Sequence, residues 1–136
     1  MNVAEKIYLM YYFLVREDKT FSKKSRTLFL VESLLFFFLT MLLFVVLGAL
    51  NLRFQNILFW ILVVCLIPLP LSGLIAINYY KKSGRDLEII KKGEELYSKR
   101  QRKLLGALAL LLHVVGFCLM FSGGILMSYL WSLHQN

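Results

Sequence analysis

Clustered chemistry is the first thing this sequence lacks. It contains no glycine-rich phosphate loop, no H-E-x-x-H, no nucleophile elbow and no group of neighbouring carboxylates, so none of the common enzyme constellations is present. Its two cysteines, Cys65 and Cys118, stand alone inside apolar stretches, which excludes a CxxC redox or zinc motif and reads as two small buried hydrophobes. Its two histidines, His113 and His134, are 21 positions apart. That is about 30 Å along a helix, so a haem cannot be held between them, and the only haem arrangement left is one shared with another subunit. No other cofactor and no metal is implied. Acidic residues are scarce as well: 8 Asp and Glu stand against 16 Lys and Arg, a net charge of +8. The basic side chains flank apolar runs rather than forming a groove, so anionic lipid headgroups are the expected partner and nucleic acid is not.

What is abundant is apolar sequence. The hydrophobic fraction is 59% and the mean hydropathy +0.67, against about 45–50% apolar usage in soluble domains. Three runs, 28–50, 57–80 and 104–131, are each long enough to cross a bilayer, which takes about 20 residues. The expected fold is an all-α integral membrane protein of one domain. It has an N-terminal interfacial helix within 1–27, three transmembrane helices, and a basic cytoplasmic helix over 81–103 that leads into the third span.

Sidedness follows from counting Lys and Arg. Lys6, Arg16, Lys19, Lys23, Lys24 and Arg26 precede the first span, and nine more lie between the second and third, whereas the opposite side has only Arg53. The positive-inside rule therefore puts the N-terminus in the cytoplasm and the C-terminus outside, in a multi-pass cell-membrane protein of bacterial cytoplasmic-membrane type. Trp60, Tyr129 and Trp131 are expected at the outer interface, and Tyr79, Tyr80 and Tyr97 at the inner one. The apolar run 7–15 is too short to span and is followed by Arg16-Glu17-Asp18 rather than a small-residue cleavage site. Rich in aromatics (Tyr8, Tyr11, Tyr12, Phe13), it reads as a helix in the headgroup region, with docking onto a partner protein as the alternative.

In the basic loop, Ser83-Gly84-Arg85-Asp86 has the S-x-x-D form of a helix start, and Leu87, Ile90, Tyr97 and Leu104 recur at helical spacing. A helix is expected from about Arg85, running on into the third span, with Gly93 as its weakest point. Lys99, Arg100, Arg102 and Lys103 then sit at the membrane surface against anionic lipid.

Ionisable residues inside the membrane are costly and carry the functional expectation. There are two, Glu32 and His113. Glu32 lies near the cytoplasmic surface, where a structural pair with Arg26, Lys24 or a base of the loop competes with a partner, ion or proton role. His113 lies near the midplane and shares one helix face with Gly106, Ala109, Gly116, Met120 and Gly123. Such small-residue grooves allow close helix approach. His113 is therefore expected to hydrogen-bond across a helix contact, the other readings being a proton relay, a quinone site or a haem ligand. Pro68 and Pro70 fall at the middle of the second span and predict a kink there, with the carbonyls near Val64 and Leu66 losing helical partners.

An amphipathic N-terminal segment before three spans resembles the layout of the small bacterial lipid kinases, and three spans with one histidine resemble the anchor subunits of succinate dehydrogenase. The intramembrane Glu and Asn cluster of the former and the Ser and His-Arg signature of the latter are both absent, so neither family is assigned. Three spans enclose little interior, which points to function through association. The expected role is a small non-catalytic membrane subunit or scaffold, joined to another subunit or a second copy through the third-span groove. An oligomeric small-solute or proton-linked transporter, with His113, Glu32 and the Pro68–Pro70 break lining its path, is the alternative. A lipid-modifying enzyme at the cytoplasmic interface is the third reading.

Overall fold

In the computed structural model, residues 1–15, 22–53 and 56–135 are described. They form α1 (Val3–Leu14), α2 (Lys23–Ala49), α3 (Ile57–Leu66), α4 (Pro68–Ala76), a π-helical turn (Ile77–Lys81), α5 (Arg85–Leu96) and α6 (Lys99–Leu133). Three stretches are long and apolar enough to cross a membrane: α2, the α3–α4–π segment from Leu58 to Lys81, and α6. Among the described residues the fold is all-helical, with three helical segments long and apolar enough to span a membrane. Arg16, Glu17, Asp18 and Lys19, used above to judge targeting and sidedness, lie outside the described residues.

The boundaries have local causes. The hydroxyl of Ser22 accepts the Ser25 N–H to start α2, and Asn56 accepts from Leu58 N to start α3. α2 stops at a turn where Asn51 takes a left-handed backbone (φ 55°), a conformation asparagine tolerates. Span 2 is interrupted at Ile67 (φ −109°, ψ −71°), directly before Pro68. Proline lacks the N–H that would continue the helix, but as the first residue of a new helix that N–H is not needed. α4 therefore restarts on Pro68, with Leu71 N donating to Ile67 O at 3.3 Å.

Span 1 is the middle of the bundle. α2 packs along α6 on one side and along α4 on the other, while among the described residues no comparable pairing joins α6 to α3 or α4. Span 2 turns a stripe of every fourth residue inward: Pro68, Ser72, Ala76 and Tyr80 are buried. Ser72 and Ala76 pack. Gly73 does not, because a Cβ there would meet nothing within 4 Å.

α1 completes the end of the bundle where α2 and α6 begin. It begins in a capping box, Asn2 Oδ1 accepting from Glu5 N at 2.8 Å and Glu5 accepting from Asn2 N at 3.1 Å, which satisfies two of the amides left free at a helix start. It packs on α6, α2 and α5. Tyr8, Leu9 and Tyr11 are at most 1% exposed and, with Val31, Leu34, Ala76, Tyr80, Ile89 and Ala109, form the core. Tyr8 and Tyr11 thus do not anchor in headgroups, as their aromatic character suggested. They are buried against the chain's own helices, Tyr8 stacking on Tyr80 at 4.9 Å while the Tyr80 O–H donates to Ala4 O at 2.7 Å.

Three further expectations are corrected. First, α5 does not run into the third span. It stops at Tyr97, which is extended (φ −114°, ψ 132°), and α6 starts afresh from a capping box between Ser98 and Gln101. Gly93, expected as the weak point, stays helical because Leu9 packs directly against it. Second, Ser83 does not cap α5. Its hydroxyl donates to Tyr79 O, and the helix starts instead at Gly84 in a left-handed conformation (φ 67°) that suits glycine. Third, Cys65 and Cys118 are exposed on the outside of the bundle, because lipid, unlike water, does not drive apolar side chains inward.

The two ends of the molecule differ in charge. Lys6, the start of α2, the 81–103 segment and α1 gather at one end, tied by Asn2 Nδ2 donating to Tyr79 Oη (2.9 Å) and by Arg85 over the Tyr79 ring (4.7 Å). At the other end Arg53 donates to Trp131 O (2.6 Å), Trp131 Nε1 donates to Leu47 O (3.3 Å), and the Trp60 and Trp131 rings lie 5.7 Å apart.

Candidate functional site

The face of α6 that carries Gly106, Ala109, His113, Gly116, Met120 and Gly123 is an occupied seam. At Gly106 the backbone of α1 passes so close that a Cβ would lie 3.3 Å from Leu14 Cα, and Ala109 is completely buried. Farther along, a Cβ on Gly116 would lie 2.7 Å from Leu34 Cδ1, and one on Gly123 would lie 2.9 Å from Met41 Cγ and 3.1 Å from its Cα. From the facing helix, a Cβ on Gly48 would lie 2.9 Å from Met127 Cα. α1 fills the half of the groove nearer the start of α6 and α2 the half nearer its end. The expectation that this groove receives a helix of another subunit is corrected on that ground: spacing of small residues marks close approach, and the helix that approaches belongs to the same chain.

His113 sits where these two halves meet. Its Nδ1 is 3.0 Å from Tyr11 Oη, and its ring lies edge-on to Tyr11 and Phe37, with centroids 5.8 and 5.1 Å away. Burial pushes the Tyr11 phenol up to about 12, so it keeps its proton at neutral pH. With the imidazole proton on Nε2, the Tyr11 O–H donates to Nδ1. The partner is a hydroxyl across a helix contact, supplied by the N-terminal helix.

Glu32 is elsewhere. It lines a cavity of about 750 Å³ together with the end of α1, the first turns of α2 and the end of span 2. Arg26 and Lys81 line the same cavity, while among the described residues Glu32 itself forms no ion pair. The Pro68–Pro70 break is on the α4 side of α2, with Pro68 buried and Pro70 exposed. His113, Glu32 and the break therefore face three different surroundings.

Of the four basic residues assigned to lipid, Lys99, Arg100 and Lys103 are exposed. Arg102 is engaged otherwise: its Nε donates to Tyr97 O (3.0 Å), a terminal nitrogen donates to Glu94 O (2.6 Å), and the guanidinium lies 5.7 Å from the Phe13 ring. It satisfies carbonyls left free where α5 ends, at the negative end of that helix. Arg102→Ala is expected to cost about 1–2 kcal/mol and to speed amide exchange in the last turn of α5, whereas Lys103→Ala changes neither. Thermal unfolding in detergent and hydrogen exchange would check both.

Sequence reasoning gave Arg102 to lipid rather than to the end of α5, and it missed the two capping boxes and the Arg26–Lys81 cavity wall. The boxes were readable as Asn2-x-x-Glu5 and Ser98-x-x-Gln101. The wall was not, because its residues come together only through packing. No family model, curated protein or solved structure matches this chain.

Proposed function

We propose that this protein is a small non-catalytic membrane subunit or scaffold, with its N-terminus and the 81–103 segment in the cytoplasm, that associates with other membrane helices. The observation that supports this reading is the one-sided packing of span 2. Its Pro68, Ser72, Ala76 and Tyr80 stripe meets α2, whereas Gly73 on another side has open space. With the α6 seam occupied from within, span 2 is the association surface for another membrane subunit or a second copy. Exposed Lys99, Arg100 and Lys103 meet anionic headgroups beside it. A transporter reading needs His113, Glu32 and the proline break on one path, and they face apart. No cofactor belongs to this proposal.

Gly73→Leu tests it. Because nothing opposes the new side chain within the chain, fold stability in detergent should stay within about 0.5 kcal/mol, while the complex seen on native gels from mild detergent is lost. Exposed Cys65 gives a second readout for a homo-oligomer. Oxidative cross-linking in membranes should yield a dimer that survives Cys118→Ser and disappears in Cys65→Ser. A chain that migrates as a monomer and co-purifies with no other membrane protein overturns the proposal.

A further inference from the structure

The start of α2, the end of span 2 and the start of α5 meet beside α1 around a smaller cavity of about 180 Å³, whose wall includes Tyr8, Ser22, Lys24, Ser25, Lys81 and Asp86. That is well below the range of about 300–1,000 Å³ for a drug-sized ligand, so it admits one small polar group and no acyl chain. Its wall carries donors without partners. Of the three core tyrosines, Tyr11 engages His113 Nδ1 and Tyr80 donates to Ala4 O, whereas the hydroxyl of Tyr8, a side chain 1% exposed, forms no hydrogen bond among the described residues. A buried hydroxyl left unmet is costly unless something enters the cavity to accept from it. Burial, with the Asp86 carboxylate nearby, holds this phenol far above its ordinary range, so it keeps its proton and stays a donor. Ser22 Oγ accepts the Ser25 N–H and donates to Ser25 Oγ at 2.9 Å, which leaves the Ser25 hydrogen for a ligand. Lys24 and Lys81 form no ion pair among the described residues. The first turn of α2 holds no acidic side chain to offset its positive end.

We propose that this cavity binds one phosphodiester group, held between the Lys24 and Lys81 ammoniums, with the Tyr8 and Ser25 hydroxyls donating to its oxygens. The start of a long helix adds free amides and the macrodipole, both of which favour a phosphate. Asp86 sets the charge that is accepted. Two ammoniums and one carboxylate give the wall a net charge of +1, which the single negative charge of a phosphodiester neutralises. A phosphate monoester brings about 1.5 to 2 negative charges at neutral pH, and the excess faces the Asp86 carboxylate. The same phosphodiester chemistry is offered by a phospholipid headgroup and by a soluble glycerophosphodiester.

The test uses the full chain in a non-ionic detergent at about pH 8, above the second phosphate pKa of about 6, with bound molecules counted by native mass spectrometry. The probes are dioleoyl phosphatidylglycerol, dioleoyl phosphatidic acid, dioleoylglycerol and soluble glycerophosphoglycerol. The expected result is one phosphatidylglycerol per chain, bound about tenfold more tightly than phosphatidic acid, with dioleoylglycerol not retained. Glycerophosphoglycerol that displaces the lipid supports the proposal with a soluble source, and lipid retained in its presence supports it with a membrane source. Tyr8→Phe should weaken the lipid about tenfold at an unchanged melting temperature, because the deleted O–H has no partner in the chain and no charge is altered. Lys24→Gln with Lys81→Gln should weaken it about tenfold or more. Asp86→Asn should erase the preference by tightening phosphatidic acid. Lys91→Gln with Lys92→Gln, two exposed charges on α5, is the charge-matched control and should change binding less than twofold. Equal retention of the two phospholipids by the unsubstituted protein overturns the proposal. So does binding indifferent to Tyr8→Phe, or a loss in the Lys91 and Lys92 change as large as in the Lys24 and Lys81 change, which is the signature of unspecific attraction to a basic surface.

Discussion

Gly123→Leu is expected to destabilise the protein by about 3 kcal/mol or more, the upper part of the range for overpacking. The reason is what the missing Cβ faces. At Gly123 it would meet Met41 Cα at 3.1 Å and Met41 O at 3.2 Å, backbone atoms that move only if α2 and α6 separate along their shared seam. Gly48→Ala should behave similarly in kind, since its Cβ would lie 2.9 Å from Met127 Cα. Gly124 is the control. Its Cβ would touch only the Phe44 ring, at 3.8 Å, an ordinary contact, so Gly124→Ala should be neutral or gain up to about 1 kcal/mol from helix propensity. Two adjacent glycines thus carry opposite expectations. Unfolding in mixed detergent micelles would measure both, and equal effects at 123 and 124 would show that the α2–α6 approach is not as close as described.

This contrast marks where sequence legibility ends. The three spans, the accumulation of Lys and Arg at one end and the interruption before Pro68 are all readable, because each depends on local composition or on chemistry that proline carries with it. The Gly106 to Gly123 seam is readable as a place of close approach. Which helix approaches is not, since lipid-facing and protein-facing surfaces are equally apolar in a span and only packing distinguishes them. The same ambiguity explains α1. A short aromatic helix suits a headgroup layer and a protein interior alike, and the features that decide between them, such as Leu9 against Gly93 and the Tyr80 O–H on Ala4 O, pair residues more than 70 positions apart. The break at Tyr97 has a different cause. Ser98-Lys99-Arg100-Gln101 is a local start signal, but the apolar spacing of Leu87, Ile90, Tyr97 and Leu104 runs straight through it. Periodicity reports which side of a helix is buried, and two helices with aligned faces share one periodicity.

Tyr11 is where the second large effect is expected. The side chain has no exposed surface and touches the one histidine inside a span, so Tyr11→Ala should remove packing and hydrogen bond together. Truncating a buried aromatic costs about 3–5 kcal/mol, enough to release α1 from the bundle, because Tyr11 packs the same core as Tyr8 and Leu9 on one 12-residue helix. Limited proteolysis within α1 and loss of protection at its amides would report that release. Tyr11→Phe separates the two contributions. It keeps the ring against His113 and deletes only the O–H, so it should cost about 1 kcal/mol, the usual worth of a hydrogen bond between helices in a membrane. A double-mutant cycle with His113→Leu should then recover a coupling of about that size between positions 11 and 113. If His113 works instead through an imidazole free to exchange protons, Tyr11→Phe would leave stability untouched and the coupling would vanish. A coupling near 1 kcal/mol, with α1 still protected in Tyr11→Phe and exposed in Tyr11→Ala, would establish His113 as the residue that fastens the N-terminal helix to the third span.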